Sequence, residues 1–137
     1  MPKVPEYFFN QSAVIPYKIE NMQLKIMLIT SRKKKRWIIP KGVIEPGMTP
    51  RESALREALE EAGCIGEVED EKIGSYEICK WEGICSVDVY PMKVNKEFDS
   101  WEEDFRDRAW FTTDEVLNKI YNEDIKKVIQ IFINKMI

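Results

Sequence analysis

The sequence predicts a single α/β domain in which a mixed β-sheet is packed between helices. Segments 12–19 and 23–30 are rich in Val, Ile, Leu and Tyr, a composition typical of strands. Helix-forming signals interrupt the strands in the middle of the chain and follow the last of them. Strands with helices interspersed and at the end are typical of a sheet covered by helices. The 137 residues fit one compact domain, so we expect a single domain over residues 1–137.

The N-terminal half contains a predicted strand pair and a short third strand. The two segments above are joined by turn-forming residues at 20–22, so they are expected to pair. Pro16 lacks a backbone N–H, which predicts a bulge or an edge position in the first strand. Residues 37–39 predict a short strand that ends at Pro40.

The C-terminal half contains three more predicted strands and two helices. The strands are expected at 73–80, 84–94 and 108–111, with a turn at 81–83. Thr112 with Glu115 marks the start of one helix, and Asn122 the start of the next. Four apolar residues recur at helical spacing in this last helix and predict a face toward the core: Ile125, Val128, Ile129 and Phe132.

The clearest helix signal lies between these two halves. Thr49 is a suitable N-cap, Pro50 suits the first helical position, and Glu52 completes a capping box. Gly63 suits the position after a helix C-terminus, so the helix is predicted to run to Ala62.

This helix has an acidic face and an apolar face. The spacing i, i+3, i+4 places Glu57, Glu60 and Glu61 on one side. The opposite side is predicted to pack on the sheet through Leu55, Ala58, Leu59 and Ala62. Carboxylates so close together repel, and Arg56 offsets part of this by pairing with Glu60 or Glu52. A divalent cation would relieve more of the repulsion, because hard cations prefer clustered carboxylate oxygens. For this segment taken alone, a solvated acidic face is the alternative.

Composition excludes several kinds of chemistry. The chain has no histidine, which excludes a Ser-His-Asp triad, a His-ligated zinc and an imidazole base. The cysteines at 64, 79 and 85 lack CxxC spacing and are expected to be reduced thiols. The net charge of −3 argues against a nucleic-acid partner. There is no apolar run long enough for a membrane span and no secretory signal, so we expect a soluble, cytoplasmic protein. We expect it to be a monomer or a homodimer.

The stretch PKGVIEPGMTPRESALREALEEAGC at 40–64 resembles the Nudix box, G-x5-E-x7-R-E-U-x-E-E-x-G-U, where U is a bulky aliphatic residue. Six residues match its identities at the right intervals: Gly42, Arg56, Glu57, Glu60, Glu61 and Gly63. The sequence departs from the pattern at Met48, where the box has Glu. Ala58 and Cys64 are small for the aliphatic positions.

The resemblance implies a Nudix-like α/β/α sandwich with a mixed central sheet, a catalytic loop and helix at about 42–63, and C-terminal helices. It implies Mg²⁺, or Mn²⁺ in its place, bound by Glu57, Glu60 and Glu61 with the Gly42 carbonyl as a further candidate. Arg56 would orient the carboxylates.

The segment WEEDFRDRAWFTTDEV resembles the acidic loop, Trp-containing strand and helix found late in this family. Glu103 is the first candidate there for a further metal ligand or a base, and Asp104 is the second. The general base is therefore either Glu60 or Glu103. A solvated acidic loop is the alternative.

The implied reaction is hydrolysis of a phosphoanhydride bond in a small-molecule substrate, either a nucleoside diphosphate linked to another group or a related polyphosphate. The Trp37-to-Gly42 lead-in, WxxPKG, resembles the subgroup that acts on diadenosine polyphosphates and diphosphoinositol polyphosphates. Four residues are candidates for substrate binding: Lys41, Arg36, Lys35 and Trp37. Trp37 and Tyr17 could stack on a base, and the alternative is that they are core residues. The alternative for the basic run at 32–36 is that it forms a solvated hairpin tip.

Two other functions compete with hydrolysis. A degenerate Nudix domain would bind a nucleotide or polyphosphate without cleaving it, and the missing acid at position 48 favours it. A structural or protein-interaction module would require the box spacing to be accidental.

Overall fold

An eight-stranded β-sheet forms the centre of the protein, whose computed structural model describes residues 4–137. The strands are β1 (Asn10–Glu20), β2 (Gln23–Thr30), β3 (Trp37–Ile38), β4 (Lys41–Val43), β5 (Cys64–Val68), β6 (Gly74–Lys80), β7 (Gly83–Glu97) and β8 (Arg108–Thr112). The helices are a short 3-10 helix (Glu6–Phe9), α1 (Pro50–Ala62), α2 (Thr113–Lys119) and α3 (Glu123–Met136).

The sheet is mixed, as the sequence predicts. Its main path runs β3-β2-β1-β7-β5, while β4 pairs with β1, β6 with β7 and β8 with β2. The pairing of β1 with β7 is parallel, with Ala13 opposite Val89, and the other pairings are antiparallel.

The predicted turns at 20–22 and 81–83 are both confirmed as tight hairpins. Asn21 and Met22 have φ of 52° and 66°, and Trp81 and Glu82 have φ of 53° and 59°. Positive φ at both central residues gives the turn a twist that matches that of the flanking strands.

The expectation of a bulge or edge position at Pro16 was wrong. Its strand β1 lies inside the sheet, between β2 and β7, and the parallel register continues through Pro16 opposite Met92. On the other side of β1, Pro16 falls between the stretch paired with β4, at 11–13, and the stretch paired with β2, at 17–20. The proline therefore lies where the ladder on that side is interrupted.

The two faces of the sheet bury separate apolar clusters, which gives the α/β/α arrangement. Along β1, Ile15 and Tyr17 belong to the cluster under α2 and α3, while Val14 belongs to the cluster under α1. The aromatic ring of Tyr17 lies 5.1 Å from that of Phe132, so Tyr17 is a core residue. Within residues 4–137, no helix is both long and apolar enough to cross a membrane.

The predicted limits of α1 are confirmed by its caps. The Thr49 hydroxyl accepts from the Glu52 amide at 3.1 Å, and the Glu52 carboxylate accepts from the Thr49 amide at 2.8 Å. The helix ends at Ala62, and Gly63 has a φ of 63°, a left-handed conformation that glycine adopts without strain.

The predicted buried face of α1 was partly wrong. Leu55 and Leu59 are 37% and 42% exposed, whereas a stripe of alanines at four-residue spacing is fully buried: Ala54, Ala58 and Ala62. These small side chains let the helix lie close to the sheet. Because α1 turns its alanines and not its leucines toward the sheet, Glu57 also faces inward and is 5% exposed.

The C-terminal helices begin where the sequence predicts. Thr112 and Glu115 form the capping box of α2, and the Asn122 side chain accepts from the first amides of α3. The four apolar residues of α3 predicted to face the core are all buried. The three cysteines are free thiols, with Cys64 and Cys85 buried and Cys79 exposed.

Candidate active site

The three carboxylates of α1 differ in their exposure. The Glu60 side chain is 28% exposed, the Glu61 side chain 13% and the Glu57 side chain 7%. All three lie in the C-terminal half of α1, beside β4 and the loop between β7 and β8. A predicted acidic helix face is therefore largely enclosed by the rest of the chain.

Gly42 lies in direct contact with the Glu57 carboxyl group. A Cβ atom at Gly42 would lie 2.3 Å from Glu57 Oε2, closer than real side chains pack. Gly42 is held in place by strand β4, opposite Ser12 of β1. Any larger residue at position 42 would therefore require the Glu57 carboxyl group to move.

Glu61 is oriented from two sides. Its Oε1 atom accepts a hydrogen bond from the Lys41 amide at 3.1 Å, and its Oε2 atom lies 3.8 Å from Arg106 Nη2. The box glycine and the lysine before it thus contact two of the three glutamates.

The electrostatics of these carboxyl groups follow from their burial. Burial, with the repulsion of Glu61 and Glu60, raises the pKa of Glu57 to about 8. Burial also raises the pKa of Glu61 to about 7, although nearby Arg106 opposes the rise. The pKa of Glu60 is raised as well, mainly by burial. Each group therefore lacks enough positive charge in its surroundings to stabilise its ionised form fully.

Arg56 pairs with the acidic groups around it, as the sequence predicts. Its Nε atom lies 3.2 Å from Glu60 Oε2 and 3.9 Å from Glu57 Oε2. Its other nitrogens face the loop before α1, with Glu45 Oε1 at 3.9 Å and Met48 Sδ at 3.4 Å. Glu52, the other predicted partner, is used in the capping box instead.

The acidic loop between β7 and β8 covers the C-terminal end of α1. The Glu103 amide donates to Glu60 O and the Trp101 indole N–H donates to Glu61 O, both at 3.0 Å. Arg108 Nη1 donates to Ala62 O at 2.8 Å and to Gly63 O at 3.1 Å. The last carbonyls of a helix have no partner within it, so these bonds fix the loop and the start of β8 to the helix.

Glu103 therefore lies at the site, and Asp104 is exposed. The Glu103 carboxylate accepts two bonds from Arg106, through Nε at 3.2 Å and Nη2 at 2.9 Å. Arg32, at the start of the basic run, approaches the same oxygen at 3.7 Å. Sequence reasoning missed Arg106. The signal was present as an arginine within the acidic segment WEEDFRDR.

The four predicted substrate-binding residues lie in two places. Lys41 is beside Glu61, and its ammonium donates to Gln11 Oε1 at 3.1 Å. Burial lowers the pKa of Lys41. Arg36 and Trp37 lie toward the α2–α3 junction, where the Arg36 guanidinium stacks 3.7 Å from the Tyr121 ring and Trp37 forms a bridge with Ile120. Trp37 also packs 5.0 Å from Phe111 of β8, and Lys35, next to Arg36 in sequence, is exposed.

The chemistry of the donor set fits a hard divalent cation. The side chains that α1 brings close together are carboxylates, the Gly42 backbone approaches Glu57 closely, and the chain has no histidine to favour a softer metal. Among residues 4–137, no three Asp, Glu or Cys side chains are arranged to hold a metal ion together. The carboxylates are turned instead toward Arg56, Arg106 and the Lys41 amide.

Fold and site together define a class of protein, an α/β/α sandwich with an acidic helix placed against a glycine-containing strand. The family model of the NUDIX domain matches residues 10–132, so the chain belongs to the Nudix family.

The chain is similar to several curated members of this family. It is 31% identical over 128 residues to Nudix hydrolase 21, chloroplastic, of Arabidopsis thaliana, covering 88% of this chain and 64% of that protein. It is 33% identical over 119 residues to Nudix hydrolase 4 of the same plant, covering 85% of this chain and 57% of that protein. The chain thus spans less than two thirds of these two relatives. It is also 28% identical over 126 residues to diphosphoinositol polyphosphate phosphohydrolase 3-beta of Homo sapiens, covering 82% of this chain and 70% of that protein.

Solved structures confirm the fold. The binary complex of the C. elegans Ap4A hydrolase superposes with a TM-score of 0.77 at 16% identity, covering 93% of this chain and 96% of that one. The names of the Arabidopsis relatives place some in chloroplasts or mitochondria. A cytoplasmic location therefore stays a prediction, as does the oligomeric state.

Proposed function

We propose that this protein hydrolyses a phosphoanhydride bond in a nucleoside diphosphate-linked or polyphosphorylated small molecule, with Mg²⁺ or Mn²⁺ as cofactor. One observation carries the proposal. Glu57 and Glu61 are enclosed beside Gly42 and Lys41, and the positive charge around them is too small to keep their pKa values in the usual range. Buried carboxyl groups with raised pKa values are typical of functional sites.

The helix carboxylates would hold the cation. We assign this role to Glu57, Glu60 and Glu61, with the Gly42 carbonyl as a further ligand. When bound, such a cation neutralises phosphate oxygens and lowers the pKa of the attacking water. Arg56 would orient the Glu60 carboxylate by charge, since its Nε atom lies 3.2 Å from Glu60 Oε2.

Two residues remain candidates for the general base. Glu60 is the most exposed of the three carboxylates assigned to the cation. Glu103 is 20% exposed, lies in the loop that covers the C-terminal end of α1, and is held by Arg106. Replacing each by Gln in turn and comparing the pH dependence of kcat distinguishes them, because the base sets the acidic limb of that profile.

The names of the relatives support the polyphosphate class of substrate. They include a diphosphoinositol polyphosphate phosphohydrolase and, among structures, an Ap4A hydrolase. In this chain, Lys41 offers an ammonium whose hydrogen-bond partner is the neutral Gln11 amide, so its charge is available to a phosphate group. Lys35, Arg36 and Trp37 are the further candidates for substrate contacts.

The test is turnover on a panel that contains a dinucleoside polyphosphate, a diphosphoinositol polyphosphate and a nucleoside diphosphate sugar, each with and without Mg²⁺. We expect metal-dependent hydrolysis of at least one of them. Glu60→Gln and Glu61→Gln should each lower kcat/KM at least about tenfold, or about 1.4 kcal/mol of transition-state stabilisation. Glu71→Gln, an exposed carboxylate outside the site, is the control. Unchanged turnover in both helix variants would remove α1 from the mechanism.

Binding without cleavage is the second candidate function. It is favoured by Met48, which gives Arg56 a thioether contact where the family box has a carboxylate. Calorimetric binding of a panel member that is not hydrolysed under any metal condition would support this alternative.

A further inference from the structure

Arg106 is the most enclosed cation of the site. Its side chain is 8% exposed, and its guanidinium contacts three parts of the chain. Nη1 donates to Thr30 O at the end of β2 at 2.8 Å. Nε and Nη2 donate to Glu103 Oε1 in the acidic loop, and Nη2 also lies 3.8 Å from Glu61 Oε2 on α1.

This geometry places one positive charge between two carboxylates that would otherwise repel each other. Nη2 is within 4 Å of both Glu61 and Glu103. A buried guanidinium is stable only when its donors are satisfied, and removing one member of a buried charge network leaves the others uncompensated. The positions of Arg106 and Glu103 therefore depend on each other.

Arg32 contacts the same carboxylate in a different way. It approaches Glu103 Oε1 at 3.7 Å, and its side chain is 65% exposed. Exposed pairs of this kind contribute little and are screened by salt. Of these two arginines, the buried one is positioned to determine where Glu103 lies.

We propose that Arg106 is a positioning residue, which holds Glu103 at the site beside Glu61 and anchors both to the end of β2. The functional meaning of this role rests on the proposed function, since Glu103 is there a candidate base or ligand. The positioning itself is a property of the metal-free protein and is tested there.

The primary experiment is a double-mutant cycle read by amide hydrogen exchange in metal-free protein. The reporter is the amide of residue 103, which donates to Glu60 O. We expect Arg106→Gln and Glu103→Gln each to lower its protection at least tenfold. The double variant should lie within twofold of the less protected single variant, because both changes remove the same interaction.

Two further variants separate positioning from general loss of structure. Arg106→Lys keeps the charge but has one donor nitrogen in place of three. The protection of the residue 103 amide should therefore lie between that of wild type and that of Arg106→Gln. If Arg106→Gln does not fold, the cycle is run with Arg106→Lys. Arg51→Gln removes an arginine that also binds backbone carbonyls, those of Val68 and Glu69, and should leave residue 103 unchanged. Two outcomes would overturn the proposal. One is a double variant in which the effects of the two single changes on the protection of residue 103 multiply. The other is unchanged protection of residue 103 in Arg106→Gln, or in Arg106→Lys where that variant takes its place.

Turnover gives an independent measurement. With any substrate that is hydrolysed, Arg106→Lys should lower kcat at least threefold with KM changed less than twofold, and should have no further effect in the Glu103→Gln background. A wild-type protein that hydrolyses nothing would count against the proposed function alone, because the exchange cycle would still decide whether Arg106 positions Glu103.

Discussion

Arg56 Nη1 lies 3.4 Å from Met48 Sδ, so a thioether meets the guanidinium where the Nudix box has a carboxylate. A thioether is a weak acceptor. In the same loop as Met48, the Glu45 carboxylate lies 3.9 Å from Arg56 Nη2. Position 48 thus faces Arg56, whose Nε atom lies 3.2 Å from Glu60 Oε2.

We expect Met48→Glu to restore a charged pair with Arg56. Because the Arg56 side chain is 37% exposed, the gain in stability should be modest, about 0.2–1 kcal/mol. Metal affinity and turnover should rise, since a better-held Arg56 fixes Glu60. Met48→Gln is the matched control without the charge. Melting temperature, Mn²⁺ titration and turnover are the measurements, and identical behaviour of the two variants would show that the charge at position 48 is unimportant.

The buried glutamates predict a pH-dependent stability of the metal-free protein. The pKa of Glu57 is raised from 4.5 to about 8 and that of Glu61 from 4.5 to about 7. The folded protein therefore binds these protons more tightly than the unfolded chain. Their stabilising contribution is complete below about pH 4.5 and is lost as pH rises toward 8.

Urea unfolding in EDTA at several pH values between 5 and 8 measures this contribution. We expect the slope of the unfolding free energy against pH to be reduced in Glu57→Gln, which cannot ionise, and unchanged in the exposed control Glu71→Gln. A slope that is the same in wild type and Glu57→Gln would contradict the assignment to Glu57.

The stabilisation of the protein by divalent cations should instead increase as pH rises. Cation binding at these carboxylates competes with protons, so the rise in melting temperature on adding Mg²⁺ should be larger at pH 8 than at pH 6. Glu57→Gln should remove most of this rise. Thermal shifts with Mg²⁺, with and without EDTA, are the measurement. An equal rise at both pH values in wild type and variant would indicate that Mg²⁺ binds elsewhere.

The basic run before the box should affect long polyphosphates most. Neutralising Lys34, Lys35 and Arg36 is expected to raise KM for a polyphosphorylated substrate more than for a nucleoside diphosphate sugar. The difference should shrink as salt rises, because exposed charges are screened over roughly 8–10 Å at physiological ionic strength.

Kinetics at two salt concentrations test this expectation. Arg36 also stacks on Tyr121, so Tyr121→Leu is the control that removes the stacking and keeps the charges. A uniform change in KM for all substrates would indicate that the run is a solvated hairpin tip.

Local signals in the sequence determined the helix limits and the family. The caps at Thr49 and Gly63 depend on side chains within a few residues of the helix ends, so they are readable without the fold. The box spacing likewise lies within one short segment. The mixed sheet and the three layers followed from the order and composition of the segments.

Only the tertiary structure decided how those segments face one another. It turned Leu55 and Leu59 outward and Glu57 inward, because the alanine stripe allows the closest approach of α1 to the sheet. It also formed β4 and β5, whose short segments become strands by pairing with β1 and β7. Arg106 acquires its place from Thr30 O, 76 residues away in sequence, and from Glu103. Contacts between distant residues leave no periodic pattern in the chain, so the acidic residues were predicted from the sequence and the arginine between them was not.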